Sequence, residues 1–113
     1  MNIIIAGNGK VGSTLTRLLS TEGHDVTLID KNTHVLEESL EQYDVMAISG
    51  NCVSMHILLQ AGVKEADLLI AATDADEINL LCCTTAHYLN PNLHTIARIR
   101  DPEYSEQIYT MKD

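Results

Sequence analysis

The feature that most constrains the fold of this sequence is a regular alternation of short aliphatic runs with longer stretches of helical periodicity. Runs such as NIIIA and DLLIAA have the length of strands, whereas the stretches between them repeat apolar residues at helical spacing. The pattern predicts strands at 2–6, 25–30, 44–48, 67–72 and 94–99. Because such βαβ units form parallel sheets with right-handed crossovers, we expect an α/β, doubly wound sheet in three layers with strand order 3-2-1-4-5.

Helix starts follow from polar residues at the predicted N-termini. Asn32 and Asn51 are each placed to cap the helix that follows, because an Asn side chain accepts a hydrogen bond from the free N–H groups of a first turn. Asp74 and Glu77 have the spacing of a capping box. The run Asp101-Pro102-Glu103 predicts the start of the last helix, because Pro is favoured at the first helical position.

Composition restricts the classes of function. The chain has 113 residues and a formal net charge of −9, which suits a single domain over residues 1–113 and argues against a nucleic-acid partner. Its only aromatics are four Tyr, so the core must be aliphatic. Its three cysteines do not suggest a disulfide framework. No apolar run approaches the ~20 residues of a membrane span, so we expect a soluble, cytoplasmic protein without direct membrane insertion.

The sequence GNGKVG, residues 7–12, follows the first predicted strand and opens the first predicted helix. In this context a glycine-rich loop is typical of nucleotide binding; the alternative is that the glycines only form a tight turn and that Asp30 is a solvated strand end. Gly7 allows a tight turn, Gly9 lets the backbone approach a pyrophosphate, and Gly12 lets the helix pack closely on the sheet. The helix N-terminus makes the site locally electropositive in an acidic protein. Lys10 lies at the tip of the loop, within reach of a phosphate of its own subunit or of a neighbour; a surface lysine is the alternative.

Asp30 ends the second predicted strand, about 20 residues beyond the loop, where dinucleotide-binding folds place the acid that binds ribose hydroxyls. The same carboxylate repels a 2′-phosphate, so NADP is disfavoured. NAD, NADH, ATP, ADP and AMP all carry a free ribose diol and stay open as ligands. Such folds usually have a sixth strand, so we expect a Rossmann-like sheet that is one strand short and a chain that is part of a longer protein.

Further candidates follow the other strands, because ligands of open parallel sheets lie across the carboxyl ends of the strands. Thr73 and Asp74 follow the fourth strand and can bond a ribose or a second phosphate; helix capping is the alternative for both. Arg98 and Arg100 share one face of the fifth strand, since they lie two residues apart. One of them can point at the ligand, and a salt bridge to an acidic side chain is the alternative.

The sequence contains no recognisable catalytic constellation. Cys52 and His56 lie one helical turn apart but lack a clear third ligand, so we expect no metal site. Asp74, Asp76 and Glu77 form an acidic cluster that fits helix-dipole stabilisation better than cation binding. We therefore expect a nucleotide-binding module that is not an enzyme. The alternative is the cofactor-binding half of an NAD-dependent oxidoreductase, which shares the glycine loop but needs an acid or base and a substrate domain.

Longer segments are more specific than the glycine loop. The chain contains IIIAGNGKVGSTL at residues 3–15, AGVKEADLLIAATDADEINLL at residues 61–81 and IARIRDPEY at residues 96–104. In these segments and in Ile29-Asp30, which are spread along the chain from residue 3 to residue 104, it resembles the N-terminal nucleotide-binding half of the Trk-type potassium-uptake regulatory proteins, also called the KTN or RCK domain.

The resemblance implies a cytoplasmic regulator, peripheral to the membrane, that binds NAD(H) or an adenine nucleotide. It also implies that paired domains of a homodimer or higher homo-oligomer change their relative angle and bias a membrane potassium-translocating subunit. The family commonly has Gly-Asp-Ala-Thr after the third strand, where this chain has Gly50-Asn51-Cys52-Val53, so an acidic contact is replaced by an amide. With Gly12 and Asn51 added to the residues that match the family's motifs, the expected cofactor-binding residues are Gly7, Asn8, Gly9, Lys10, Val11, Gly12, Asp30, Asn51, Thr73, Asp74 and Arg98.

Overall fold

The structure, a computed structural model, describes residues 1–111, and its strands and helices alternate in the predicted order. The strands are β1 (Asn2–Ala6), β2 (Asp25–Asp30), β3 (Met46–Ser49), β4 (Leu68–Ala71) and β5 (His94–Ala97). The helices are α1 (Lys10–Thr21), α2 (Thr33–Gln42), α3 (Met55–Gln60), α4 (Asp76–Leu89) and α5 (Pro102–Met111), with a 3-10 turn at Val63–Glu65. The last two residues of the predicted domain, 112 and 113, lie outside the described range.

The five strands form one parallel sheet in the order β3-β2-β1-β4-β5, which confirms the predicted doubly wound, Rossmann-like fold. β1 is the central strand, and its last residue, Ala6, lies opposite Ile29 of β2 and Ala71 of β4. Ala71 in turn lies opposite Ala97 of β5. The carboxyl ends of these strands are therefore level, and the loops that follow them leave the sheet at one edge.

The side chains of β1 alternate between two hydrophobic cores, one on each face of the sheet. Ile4 packs with Leu58 of α3 and Cys82 of α4, whereas Ile3 and Ile5 pack on the face covered by α1 and α2. Burial of one such isoleucine side chain stabilises the fold by about 1.5–3 kcal/mol. Aliphatic packing on both faces therefore holds the three layers together, as the scarcity of aromatic residues predicts.

The start of α3 differs from the prediction. Ser54, and not Asn51, caps this helix: its Oγ accepts the Ile57 N–H at 3.3 Å. The Asn51 side chain instead accepts the Val53 N–H at 3.1 Å, in a local turn that keeps residues 51–53 out of the helix. The prediction was wrong because Asn favours such turns as readily as it favours helix caps.

The start of α4 also differs from the prediction, because Ala75 takes the cap position. The Thr73 hydroxyl accepts the Ala75 N–H at 3.3 Å, while the Asp74 carboxylate lies 3.6 Å from the Arg98 guanidinium. The predicted capping box of Asp74 and Glu77 is therefore wrong. The helix begins two residues after Asp74, so this residue lies before the cap position and its carboxylate is left at the surface near Arg98.

The predicted starts of α2 and α5 are confirmed. Asn32 Oδ1 accepts the His34 N–H at 3.0 Å, and Asp101 Oδ1 accepts the Glu103 N–H at 2.9 Å. In both helices a side-chain oxygen satisfies an N–H group that the first turn leaves free. In each case the capping residue and the N–H group that it binds lie two residues apart, so the local sequence is sufficient at these two starts.

The last helix, α5, is the most exposed element of the fold. None of its described residues is buried, and the large apolar side chains of Ile108, Tyr109 and Met111 are exposed. Among the helices within residues 1–111, none combines the length and the apolar composition that crossing a bilayer requires.

The contact between Gly12 and Gly7 gives a direct test of the packing between α1 and β1. A Cβ at Gly12 would lie 2.8 Å from the Gly7 carbonyl carbon and closer still to its oxygen, and backbone atoms cannot rotate away. We expect Gly12→Ala to lower the free energy of unfolding by about 3 kcal/mol in urea denaturation.

Gly9→Ala is the matched control for this test. A Cβ at Gly9 would meet no described atom within 4 Å. The variant therefore loses only the advantage that Gly has over Ala as a helix N-cap. We expect this variant to lose less than about 1 kcal/mol. Equal losses in the two variants would contradict the close packing of α1 on the loop.

Candidate functional site

A cleft of about 610 Å³ lies across the carboxyl ends of the strands, and residues that follow all five strands line it. The cleft brings together every predicted site residue except Asn8 and Gly12: Gly7, Gly9, Lys10, Val11, Asp30, Asn51, Thr73, Asp74 and Arg98. These residues are far apart in the sequence and meet only because the strands are parallel and level. The cleft is therefore a product of the sheet topology.

Asn8 and Gly12 lie outside the lining of the cleft. The Asn8 side chain is buried against α2, where its amide donates to the Val35 carbonyl at 3.0 Å and to the Ser39 hydroxyl at 2.7 Å. Gly12 is buried against the Gly7 carbonyl, as described above. These two residues shape the loop from behind, and the structure does not bring the Asn8 side chain to the cleft.

The glycine loop approaches the backbone after β4 closely at Gly7. Gly7 has φ of +96°, a conformation that favours glycine, and a Cβ there would lie 2.9 Å from the Thr73 backbone nitrogen. Gly9, by contrast, has open space on its Cβ side among the described residues. Directly after Gly9, α1 begins, and the free N–H groups of its first turn carry a partial positive charge. The loop thus leaves room beside a helix end that attracts anions.

The Asp30 carboxylate joins the loops that follow β1 and β2. Its Oδ2 accepts the Asn8 N–H at 2.7 Å, and its Oδ1 accepts the Asn32 N–H at 2.8 Å. A carboxylate has about four acceptor positions, so each oxygen can accept a further hydrogen bond from a group in the cleft. The carboxylate is therefore held in one orientation and still has acceptor capacity for hydroxyl donors.

Asn79 of α4 is a structural residue of the site that sequence analysis did not identify. Its side chain is fully buried, and its Oδ1 accepts both the Thr73 N–H at 2.9 Å and the Thr73 hydroxyl at 2.6 Å. Its Nδ2 donates to the carbonyls of Thr73 and Arg98, at 3.1 and 2.8 Å. Asn79 thus ties the ends of β4 and β5 together. An isolated amide in the apolar run INLLCC is the sequence signal that could have indicated it.

Basic side chains are concentrated in the cleft. Four of the seven Lys and Arg residues of this acidic chain line it: Lys10, Lys31, Arg98 and Arg100. The two arginines approach the Asp74 carboxylate, at 3.6 Å from Arg98 and 3.9 Å from Arg100. Asp74 is 95% exposed, so these ion pairs are screened by water and contribute at most about 1 kcal/mol each. Both guanidinium groups can therefore turn to an anion in the cleft at low cost.

Asp76 fastens the segment that connects β5 to α5. Its carboxylate accepts the Arg100 N–H at 2.9 Å and the Asp101 N–H at 2.8 Å. These two backbone hydrogen bonds lower the pKa of the Asp76 carboxyl below its usual range. The segment that carries the cleft arginines is thereby attached to the start of α4.

Cys52 lines the cleft from the turn between β3 and α3, next to Cys82 of α4. A hydrogen bond from the Cys82 thiol lowers the pKa of Cys52, and the same contact together with burial raises the pKa of Cys82. Burial also raises the pKa of Cys83, to about 11. His56, which the sequence places one turn from Cys52, is exposed on α3. The buried neighbour of Cys52 is thus a second thiol.

Comparison with known proteins shows the family to which this chain belongs. A family model described as TrkA-N domain matches residues 3–112. The chain belongs to the TrkA-N domain family. This TrkA-N domain is 40% identical over 104 residues to the Trk system potassium uptake protein TrkA of Vibrio alginolyticus, covering 92% of the chain and 23% of the relative. It is also 40% identical over 102 residues to a TrkA homolog of Pyrococcus abyssi, covering 90% of the chain and 45% of the relative.

The resemblance to Trk-type regulators is thus confirmed, and the chain spans less than half the length of these relatives. Solved structures agree with the fold. The Kef CTD of Shewanella denitrificans in its AMP bound form superposes with a TM-score of 0.83 at 30% identity, over 99% of this chain and 67% of that one. The GsuK channel bound to NAD superposes with a TM-score of 0.82 at 25% identity, over 96% of this chain and 20% of that one.

The lowered pKa of Asp76 predicts a dependence of stability on pH. Because the folded-state pKa lies below the unfolded value, this carboxylate stabilises the fold fully above about pH 4. The contribution is lost as the pH falls through the folded-state pKa. Asp76→Asn has no proton to bind there, so its free energy of unfolding should fall less steeply below about pH 4 than that of the wild type.

The measurement is urea denaturation at a series of acidic pH values. Asp44→Asn is the matched control, because Asp44 is exposed and makes no side-chain hydrogen bond within the described residues. The control should keep the wild-type pH dependence. An unchanged slope in Asp76→Asn would show that the two backbone hydrogen bonds do not form in solution.

Proposed function

We propose that this TrkA-N domain binds NAD(H) or an adenine nucleotide in the cleft and serves as the cytoplasmic regulatory part of a Trk-type potassium-uptake system. The observation that carries the proposal is the convergence of the glycine loop, Asp30 and the basic side chains on one cleft. Two of the similar structures are described as AMP bound and NAD bound, which supports this class of ligand. The similarity to Trk potassium uptake proteins supports the regulatory role.

In this proposal each end of the cleft binds a different part of the nucleotide. The phosphates lie at the open side of Gly9 and receive hydrogen bonds from the first N–H groups of α1, including that of Val11. Lys10 and Arg98 neutralise the phosphate charge. The two ribose hydroxyls donate to Asp30, whose orientation is already held by the backbone. A 2′-phosphate would meet the carboxylate directly and is rejected.

The remaining lining residues complete the contacts. Thr73 is held by Asn79 with its backbone beside Gly7, so it contributes to the wall near the phosphates. Asn51 supplies an amide at the ribose side, in place of an acidic residue. Asp74 keeps the cleft arginines oriented until a phosphate replaces it as their partner. In this proposal, binding of the ligand breaks the ion pair between Asp74 and Arg98.

Regulation requires two conformations with different nucleotide affinities, because a ligand that binds both equally shifts nothing. We propose that a homodimer or higher homo-oligomer supplies these conformations and passes them to a membrane potassium-translocating subunit. The exposed apolar side chains of α5 support self-association, since no described residue of this helix is buried. Asp76 connects α5 to the cleft arginines, so a movement of those arginines reaches the exposed helix.

We propose a binding role and not catalysis. The ionisable groups of the cleft are already used for structure or charge: Asp30 bonds two backbone N–H groups, and Asp74 pairs with two arginines. Neither carboxylate is therefore placed to act as a general acid or base. An oxidoreductase would need such a group beside the nicotinamide.

The test is calorimetric titration of ligand-stripped protein with AMP, ADP, ATP, NAD, NADH and NADP. We expect at least one of the first five to bind, and NADP to bind at least about tenfold more weakly than NAD because of Asp30. Gly9→Val should abolish binding with little loss of stability, because its side chain enters open space beside the phosphates.

Thr21→Val is the control for this variant, since it places the same side chain at the far end of α1 and outside the cleft. Its affinity should match that of the wild type. Full binding by Gly9→Val, or binding of none of the six nucleotides by the wild type, would overturn the proposed site.

Arg98→Ala tests the phosphate contact separately. Loss of a charge-assisted hydrogen bond costs about 1.5–3 kcal/mol, so we expect affinity to fall about tenfold to a hundredfold in the same titration. Arg17→Ala removes an equal charge from the groove between α1 and α2, outside the cleft. The control should change affinity by less than about twofold. Equal losses would indicate a general effect of charge and not a contact at Arg98.

A further inference from the structure

Thr73, which follows β4 and lines the cleft, gives both of its hydrogen-bond donors to one buried atom. Its N–H and its hydroxyl donate to Asn79 Oδ1, at 2.9 and 2.6 Å. We propose that Thr73 therefore meets the ligand only as an acceptor, so this corner of the cleft binds a ligand hydroxyl or amide N–H and excludes a phosphate. The identity of the ligand group rests on the function proposed above, whereas the direction of the hydrogen bonds in the free protein does not.

The orientation of the Asn79 carboxamide is fixed by its hydrogen-bond partners. Its Nδ2 lies 3.1 Å from the Thr73 carbonyl oxygen and 2.8 Å from that of Arg98. The reverse orientation would place Oδ1 against these two carbonyl oxygens and Nδ2 against the Thr73 N–H, and all of these contacts are repulsive. The Asn79 side chain is fully buried, so solvent does not compensate for such contacts. Asn79 therefore presents its oxygen, an acceptor, to the donors of Thr73.

The hydroxyl of Thr73 has a single proton, and the geometry decides where that proton lies. Oγ1 and Asn79 Oδ1 are 2.6 Å apart, a distance at which two oxygens repel each other unless a proton lies between them. The Ala75 carbonyl is a more distant acceptor, at 3.3 Å. The Ala75 N–H donates to Oγ1, also at 3.3 Å, and uses one of its two lone pairs. The other lone pair of Oγ1 is left for the ligand.

The charges around this corner also disfavour a phosphate. The carboxylates of Asp74, Asp76 and Glu77 lie at the start of α4, and they outnumber the guanidinium groups of Arg98 and Arg100. The acidic first turn also compensates the positive end of the helix. The long arginine side chains can turn toward the glycine loop, whereas the hydroxyl is held in place. A phosphate is therefore attracted to the glycine loop and not to the start of α4.

The sheet order determines which part of a nucleotide reaches Thr73. Asp30 follows β2 and Thr73 follows β4, on opposite sides of the glycine loop after β1. A ligand with its ribose at Asp30 and its phosphates at the loop extends toward Thr73 with the group beyond those phosphates. In NAD(H) that group is a second ribose with a carboxamide, and both carry donors. In ATP it is a further phosphate, which only accepts, so the corner favours a dinucleotide.

Two ligands that extend ADP in different ways test this preference by calorimetry. ADP-ribose adds a ribose to ADP, whereas ATP adds a phosphate. Thr73→Val should weaken the binding of the ligands that donate to Thr73 by about threefold to tenfold, because one hydrogen bond is lost, and should change ADP and ATP by less than about twofold. Thr73→Ser keeps the hydroxyl and should retain most of the affinity. Thr21→Val makes the same change outside the cleft and should alter none of the affinities.

The two sources of the donor give different patterns. A ribose hydroxyl predicts equal losses for ADP-ribose and NAD, and a carboxamide predicts a loss for NAD alone. A larger loss for ATP than for either would show that Thr73 donates to a phosphate and would overturn the proposal. Equal changes for all four ligands, or no change for any of them, would also contradict it.

The orientation of Asn79 is tested by NMR in isotope-labelled protein without a ligand. The Nδ2 hydrogens of Asn79 and the Thr73 N–H should exchange with solvent at least about a hundredfold more slowly than the side-chain amide of Asn92, which is exposed. Exchange of the Asn79 amide at the rate of Asn92 would show that these hydrogen bonds do not form. The acceptor role of Thr73 would then be wrong, whether or not a nucleotide binds.

Asn79→Ala tests the positioning of the Thr73 hydroxyl. Without Oδ1 the hydroxyl proton is free to turn to a phosphate, so the affinity for ATP relative to ADP-ribose should rise by at least about threefold. An unchanged ratio would show that Asn79 supports the fold but does not determine what Thr73 binds. If this variant does not fold, Thr73→Val and the exchange rates decide. If no nucleotide binds the wild type, the function proposed above fails, the ligand group assigned here fails with it, and the exchange rates still decide the direction of the hydrogen bonds.

Discussion

The burial of β1 is the constraint on which the rest of this structure depends. Both of its edges are paired, with β2 and β4, and its side chains from Ile3 to Ala6 are buried in the two cores. The pairing continues to that point: the Gly7 N–H bonds the Ile29 carbonyl and the Ala72 N–H bonds the Ala6 carbonyl, both at 2.8 Å. The loops that form the cleft therefore begin at the same height, from strands that are held rigidly by pairing and burial.

The side chains of Asp30 and Asn79 hold parts of the cleft in place, whereas the contact made by Asp74 leaves part of the cleft free to rearrange. Asp30 joins the loops after β1 and β2, and Asn79 joins the ends of β4 and β5, each through both of its polar atoms. The exposed pair of Asp74 and Arg98 is weak by comparison. A fixed floor with a wall that rearranges at low cost suits the regulatory role proposed above, in which the ligand distinguishes two conformations.

The basic side chains of this acidic chain are distributed unevenly. The chain carries a net charge of −9, yet most of its basic side chains border the cleft, beside the N-terminus of α1. An anion is therefore attracted by local groups against an unfavourable overall field. The turn after β3 differs from this pattern, because it brings the cysteine Cys52 to the cleft. It is also the turn in which Asn51 forms a local hydrogen bond and the helix begins later than predicted.

The sequence by itself determined the fold class, the strand order and most of the cleft, including Gly7, Gly9 and Asp30. Their roles depend on the strand–loop–helix pattern, which is a local property of the chain. Only the tertiary structure decided that the Asn8 side chain turns to α2, that Asn79 joins two strand ends, and that Cys52 meets Cys82. These contacts join residues distant in the sequence, and the packing of helices on the sheet decides whether they form.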